Sequence, residues 1–156
     1  MIQFGQIFNN DGGAEAPAIS SPALRALYDL WLDKRGSRPA PSRNDFTIED
    51  LRPWLGHLMI LDCDGEDISY RLYGTELVRI FGFDLTGRRV ADCVPLIGQK
   101  PALEYREVIR GARPIYISRS SPSAREYLLM DKLALPLMDG GKVNKILAAI
   151  YLSEAE

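Results

Sequence analysis

Apolar residues first recur at helical spacing between Leu24 and Leu32, where Leu24, Leu27, Tyr28, Trp31 and Leu32 fall on one stripe. Ser20 or Ser21 supplies an N-cap, Pro22 fits the first turn and Gly36 is a stop, so the pattern predicts an amphipathic helix over residues 20–36. Upstream, the run from Asn9 to Pro17 is small, polar and punctuated by Gly and Pro, and residues 1–19 read as a flexible leader. Beyond Pro39 and Pro41, Thr47 looks like the cap of a short helix, with Asp50 three residues on and Phe46 able to staple onto Leu51. Pro53 removes a helical donor and ends that helix early or kinks it.

The period then changes. His57–Asp62 and Ile68–Tyr73 are extended runs joined by Asp64-Gly65, a hairpin signal. Thr75–Phe81, closed by Gly82, reads as a short helix, and Asp84-Leu85-Thr86-Gly87 as a turn. From about Gly98 to Arg110, Leu103, Val108 and Ile109 sit among Lys100, Glu104, Arg106 and Glu107, which suits a surface helix. Three strands complete the chain, Ile115–Ser118, Tyr127–Leu137 and Ile146–Leu152, separated by Ser121-Pro122-Ser123 and by Asp139-Gly140-Gly141-Lys142.

Strands, then helices, then strands without regular alternation predict an antiparallel α+β domain over residues 37–156. His57–Leu61 and Ile146–Ile150 are apolar at consecutive positions, so both faces of those strands must be covered. The helix over residues 20–36 is the natural cover for the second face. The same stripe of Leu24, Leu27, Tyr28 and Trp31 could instead meet a partner chain, and these four are the candidate interface.

Composition narrows the function classes. The chain has 156 residues, 46% hydrophobic and 26% charged, enough for one core and too ordinary for a disordered or fibrous protein. Nineteen Lys and Arg against 21 Asp and Glu give a formal charge of -2, too balanced for the field that sequence-independent phosphate binding uses. No apolar run reaches the length of a membrane span, and the N-terminus lacks a signal-peptide pattern, which leads to an expectation of a cytoplasmic protein with no membrane contact. Cys63 and Cys93 are neither spaced as metal ligands nor numerous enough for a disulfide scaffold, and read as reduced core thiols.

Four local motifs stand out, Pro41-Ser42-Arg43-Asn44-Asp45-Phe46, Leu61-Asp62, Tyr70-Arg71-Leu72-Tyr73-Gly74-Thr75 and Gly82-Phe83-Asp84-Leu85-Thr86-Gly87, and with the Trp31 helix they cover about residues 21–152. Together they resemble the PAS domain, and more closely the single-domain PAS family found mainly in alphaproteobacteria. The resemblance implies a five-stranded antiparallel sheet flanked by short helices, with a cavity where other PAS domains hold haem, flavin or small metabolites. It supplies no ligand of its own.

On that frame the expected pocket lining is Leu58, Ile60, Tyr70 and Leu72 from the first hairpin, Val78 and Phe81 from the helix, and Ile115 and Ile117 across the sheet. Such a lining suits a small hydrophobic or aromatic ligand, and equally a filled core. The polar residues of the family motifs are Arg43, Asp45, Arg71, Asp84 and Thr86. Turn and cap roles fit Asp45 and Asp84, with Arg71 pairing one of them, ahead of ligand contact. Gly74, Gly82 and Gly87 are expected to provide backbone conformations that a side chain forbids.

Catalysis finds no support. His57 is the only histidine, which removes metal sites built on two imidazoles, and its place at a strand entrance disfavours haem ligation. The flavin-linking Cys stretch of photoactive PAS domains has no counterpart in Gly87–Cys93, which disfavours covalent flavin. No nucleophile elbow or phosphate loop is present, so the domain is expected to be non-enzymatic. The leading expectation is a sensory, signal-transducing module that binds a small ligand or a protein partner and acts through its N-terminal helix. The partner is a second copy of the chain, as a homodimer, or a separate signalling protein. The alternative is a ligand-free dimerisation module. A DNA-binding regulator using Arg35, Arg38, Arg43, Arg88 and Arg89 is the weakest, because scattered arginines on a near-neutral chain are ordinarily solvated.

Overall fold

Ser21 caps the first helix, its side chain accepting from the Leu24 N–H at 3.3 Å, and Pro22 occupies the first turn. The resulting α1 (Pro22–Arg35) ends at Gly36, whose φ of 60° lies in the region glycine favours. The structure, a computed structural model, describes residues 6–7, 19–120 and 128–154. The leader run Asn9–Pro17 and the Ser121-Pro122-Ser123 turn lie outside the described residues.

Thr47 caps α2 (Ile48–Leu51) in a reciprocal box with Asp50, and a 3-10 turn over Arg52–His57 leads into the sheet. The long strands are β2 (Leu58–Asp64), β3 (Asp67–Tyr73), β4 (Ile115–Ser120), β5 (Leu128–Asp139) and β6 (Lys142–Glu154). Between β3 and β4 lie α3 (Thr75–Phe81), α4 (Val94–Ile97) and α5 (Lys100–Gly111). A two-residue strand, β1 (Gln6–Ile7), pairs with β4 from within the stretch read as a flexible leader. All pairings are antiparallel, in the order β1-β4-β5-β6-β2-β3. The fold is thus the expected PAS-like α+β arrangement, five strands and an N-terminal helix, with the short β1 added at one edge.

Both faces of the sheet are covered, as the uninterrupted apolar runs demand. On the back, Leu24, Leu27, Tyr28 and Trp31 of α1 pack on Leu58, Ile60, Leu133, Leu135, Leu147 and Ala149. Two indoles fix this helix, since Trp31 Nε1 donates to the Pro136 carbonyl at 2.9 Å and Trp54 Nε1 donates to the Ala23 carbonyl at 2.7 Å. These four α1 residues are therefore not the free partner-binding stripe that was the candidate interface: all are buried within the chain itself. On the front, Leu77, Leu85, Tyr105 and Val108 pack on Met59, Leu61, Ile115, Ala134, Ile146 and Ala148.

One irregularity decides which side chains face which way. Ile60 opposes Leu72 and Leu61 opposes Tyr70, leaving Arg71 as an extra residue in a β-bulge. Simple alternation would place Tyr70 and Leu72 together. The bulge instead puts Tyr70 and Tyr73 on the front and Leu72 on the back.

Candidate functional site

The hollow beneath the front helices measures about 200 Å³. Its floor is Met59, Tyr70, Tyr73, Met130 and Ile150 of the sheet, with Arg119 and Lys132. Its walls are Phe81, Leu96, Ile97, Pro101 and Tyr105 from the helices and Phe83 and Leu85 from the loop after α3. A void on the order of 150 Å³ lined by apolar groups already admits one benzene ring, so this hollow holds a single ring with a short substituent.

Helical spacing builds the wall from α5. Pro101, Glu104, Tyr105 and Val108 are its buried residues, at positions i, i+3, i+4 and i+7. Glu104 is consequently fully buried rather than solvated among surface charges as the sequence suggested. Its carboxylate meets two cations from neighbouring strands: Arg119 Nη1 on one oxygen and Lys132 Nζ, at 3.3 Å, on the other. Lys132 Nζ also stands 4.1 Å from the centroid of the Tyr105 ring, a cation–π contact. The Lys132 side chain is 2% exposed and that of Arg119 is 21% exposed.

Strand register explains why these charges converge. Met130, Lys132 and Ala134 alternate to the front of β5 while Asp131 and Leu133 do not, and Lys132 lies opposite Ile117, two residues before Arg119 on β4. Asp131 is held separately, accepting from the Ser118 hydroxyl at 2.7 Å. Three phenols complete the polar lining. Burial raises the pKa of Tyr70, Tyr73 and Tyr105, so all three stay neutral hydrogen-bonding groups, and the Tyr105 hydroxyl lies 4.0 Å from the Met59 sulfur.

Of the residues expected to line a pocket, Tyr70 and Phe81 do so. Ile115 and Ile117 are buried in the same front cluster, with Val78 packed against it, but none of the three lines the hollow. Leu58, Ile60 and Leu72 require correction: Leu58 and Ile60 alternate with the front-facing Met59 and Leu61, and the Arg71 bulge turns Leu72 to the same α1 side. Among the lining residues that sequence reasoning missed are Lys132, Arg119, Met59, Met130, Tyr73 and Tyr105, with Glu104 behind them. The available signal was Asp131-Lys132, two charges interrupting a strand otherwise apolar on both faces.

The polar motif residues serve the frame. Asp45 accepts from the Ser42 N–H and from Arg38, both at 2.8 Å, while Arg43 donates to the Phe46 carbonyl. Asp84 accepts from both the N–H and the hydroxyl of Thr86, and the turn lays the chain back on β3, Gly87 N–H donating to the Tyr70 carbonyl at 2.7 Å. Arg71 is exposed at the bulge, and its expected pairing with Asp45 or Asp84 does not occur among the described residues. Gly82 and Gly87 have φ of 86° and 83°, as expected of them. Gly74 differs: its φ of -63° is ordinary, and a Cβ there would stand 2.2 Å from the Gly56 carbonyl oxygen.

Neither haem nor a covalently held flavin matches these residues. The His57 ring stacks on Tyr151, 4.0 Å between centroids, with Nδ1 3.1 Å from the Ile150 carbonyl oxygen, and it is not among the lining residues. The Cys93 thiol donates to the Arg89 carbonyl and does not line the hollow either, while burial raises its pKa. Burial, aided by Asp62, pushes the Cys63 thiol up to about 12.

A single antiparallel sheet with helices on one face, a hollow between them and a helix closing the back defines a PAS-like sensory architecture. The chain belongs to the PAS domain family, which its residues 19–150 match. This is a family of sensory and regulatory domains. No curated protein matches the chain in sequence. Among solved structures it is similar to an RNA-binding light-oxygen-voltage receptor, at 12% identity and a TM-score of 0.45, over 89% of this chain and 36% of that one. The chain therefore spans about a third of that receptor. No helix of the described residues is long and apolar enough to cross a membrane.

Proposed function

We propose that this chain is a non-catalytic PAS sensor whose front hollow binds a small ligand and whose α1 passes the bound state to a protein partner. The observation that carries the reading is the hollow itself: about 200 Å³ of space into which buried phenols and cations point from three strands and a helix. Convergent polar groups in an apolar cleft are what orient a ligand, and a core that served only packing would be filled.

The route to α1 is short. Lys132 faces the hollow and Leu133, the next residue of β5, packs against α1, so a shift of this strand reaches both sides of the sheet. Helix α4 offers a second outlet, because Leu96 lines the hollow while remaining 47% exposed. The partner is a second copy of the chain or a separate signalling protein, engaged by the outer side of α1 now that its apolar stripe is accounted for.

Native mass spectrometry of the protein isolated from its own cells under mild conditions is the test. A co-purifying small molecule is expected, released on denaturation. A ligand-free mass, with no compound in a small-molecule screen raising Tm, would leave the dimerisation reading in its place.

A further inference from the structure

We propose that the ligand of this hollow is a monocarboxylate with an apolar body of about one ring, its carboxylate seated between Lys132 and Arg119. This rests on the sensor reading above and names the chemistry that the same site selects.

Charge accounting motivates it. Among the described residues, two cationic side chains, Lys132 and Arg119, share a single carboxylate, that of Glu104, whose oxygens are each engaged by one of them. The triad thus carries an excess of one positive charge at a place where Lys132 is 2% exposed. Donors are in excess as well, since an ammonium and a guanidinium together offer eight N–H groups, by the inventory of side-chain donors, to one carboxylate. A buried charge without a counter-charge is costly, and a ligand monoanion removes both imbalances. A phosphate dianion would overshoot the charge.

Geometry supports the same answer. Lys132 and Arg119 both line the hollow, whereas Glu104 does not, so the cations stand between their shared carboxylate and the cavity space. Much of the remaining lining, Tyr73, Phe81, Phe83 and Leu85 among it, is ring-rich and largely apolar. The phenols add hydrogen bonds without charge, because burial keeps them protonated. A molecule complementary to this arrangement is anionic at one end and apolar at the other.

The experiment is calorimetric titration of the full chain with matched pairs: phenylacetate against 2-phenylethanol, benzoate against benzyl alcohol, and 3-methylbutanoate against 3-methylbutanol. At least one acid is expected to bind roughly tenfold or more tighter than its alcohol, the discrimination that a hydrogen bond to a charged group supplies. Arg119→Gln, at the partly exposed member of the triad, should shrink that ratio several-fold with little change in alcohol binding. Lys132→Met should shrink it further, with circular dichroism confirming the fold. Should Lys132→Met not fold, the wild-type ratio and Arg119→Gln decide the matter. Acids and alcohols binding equally would overturn the carboxylate assignment while leaving the sensor reading standing. Binding of none of the six likewise overturns the carboxylate assignment, and the sensor reading is then decided by the co-purifying ligand.

Discussion

The indole of Trp31 donates its N–H to the carbonyl of Pro136, 105 residues away in sequence and 2.9 Å away in space. Pro136 lies where β5 runs past the end of β4, whose last paired position on this side is Ala134, and a proline suits such an edge because it has no N–H to leave unmet. The neighbouring Met138 N–H is taken by the Pro41 carbonyl at 2.9 Å. The segment from α1 to Pro41 therefore replaces a strand neighbour and belongs to the core. Trp31→Phe, which keeps most of the apolar contact and leaves the carbonyl unmet, is expected to lower stability by about 1–3 kcal/mol in urea unfolding. A loss below a few tenths would show that the bond contributes little.

Gly74 and Gly56 touch backbone to backbone where α3 leaves the sheet, and Gly74 N–H donates to the Leu58 carbonyl at 2.9 Å. A methyl group at Gly74 must push the Gly56 peptide away from β2. Gly74→Ala should cost roughly 1–3 kcal/mol as overpacking does. At Gly36 no atom lies within 4 Å of an added Cβ, so alanine there meets only backbone strain: φ 60° with ψ -126° is a conformation side chains avoid, and the substitution should cost about 1–3 kcal/mol with no repacking around it.

Glu104 neutralises part of a buried double cation, so removing its charge should be worse than removing a cation. Glu104→Gln is predicted to destabilise by about 3–5 kcal/mol, the usual outcome of breaking a buried pair. Adding Lys132→Met to Glu104→Gln should recover part of the loss, because one of the two uncompensated cations goes with it. Equal stability of Glu104→Gln and wild type by thermal unfolding would contradict the charge accounting.

Acid stability should follow the caps. Asp45 and Asp50 have lowered pKa values, chiefly because each accepts its own cap's backbone N–H, from Ser42 and Thr47, and then because Arg38 and Lys34 stand beside them. Asp84 is lowered by the Thr86 hydroxyl and N–H. A carboxyl held below its unfolded value of about 3.9 stabilises the fold fully above that pH and loses its contribution as pH falls through the lowered value. Unfolding midpoints in urea should therefore fall below about pH 4, the ordinary aspartate range, and Asp45→Asn with Asp50→Asn should flatten that fall.

The architecture was legible because it rests on period and punctuation. Consecutive apolar residues at His57–Leu61 and Ile146–Ile150 required two covered faces, and the Leu24–Trp31 stripe is one of the covers. The Gly140-Gly141 turn closes the β5–β6 hairpin with Asp139 opposite Lys142. The site was legible only in part. The Arg71 bulge has no signal in an alternating run, yet it inverts Leu72 and Tyr73 relative to simple alternation. Glu104 reads as solvated by composition alone, since only tertiary packing shows that its side of α5 meets two cations. Long-range pairing, not local preference, made the site.

Methionine-methyl NMR addresses the central claim most directly, because Met59 and Met130 line the hollow and Met138 does not. Titrating ¹³C-methyl-labelled protein with phenylacetate or the co-purifying ligand should move the Met59 and Met130 resonances in parallel and leave Met138 in place. Saturable shifts confined to Met138, or no methyl shift at ligand concentrations that raise Tm, would place binding elsewhere and contradict a ligand-holding cavity beneath α5.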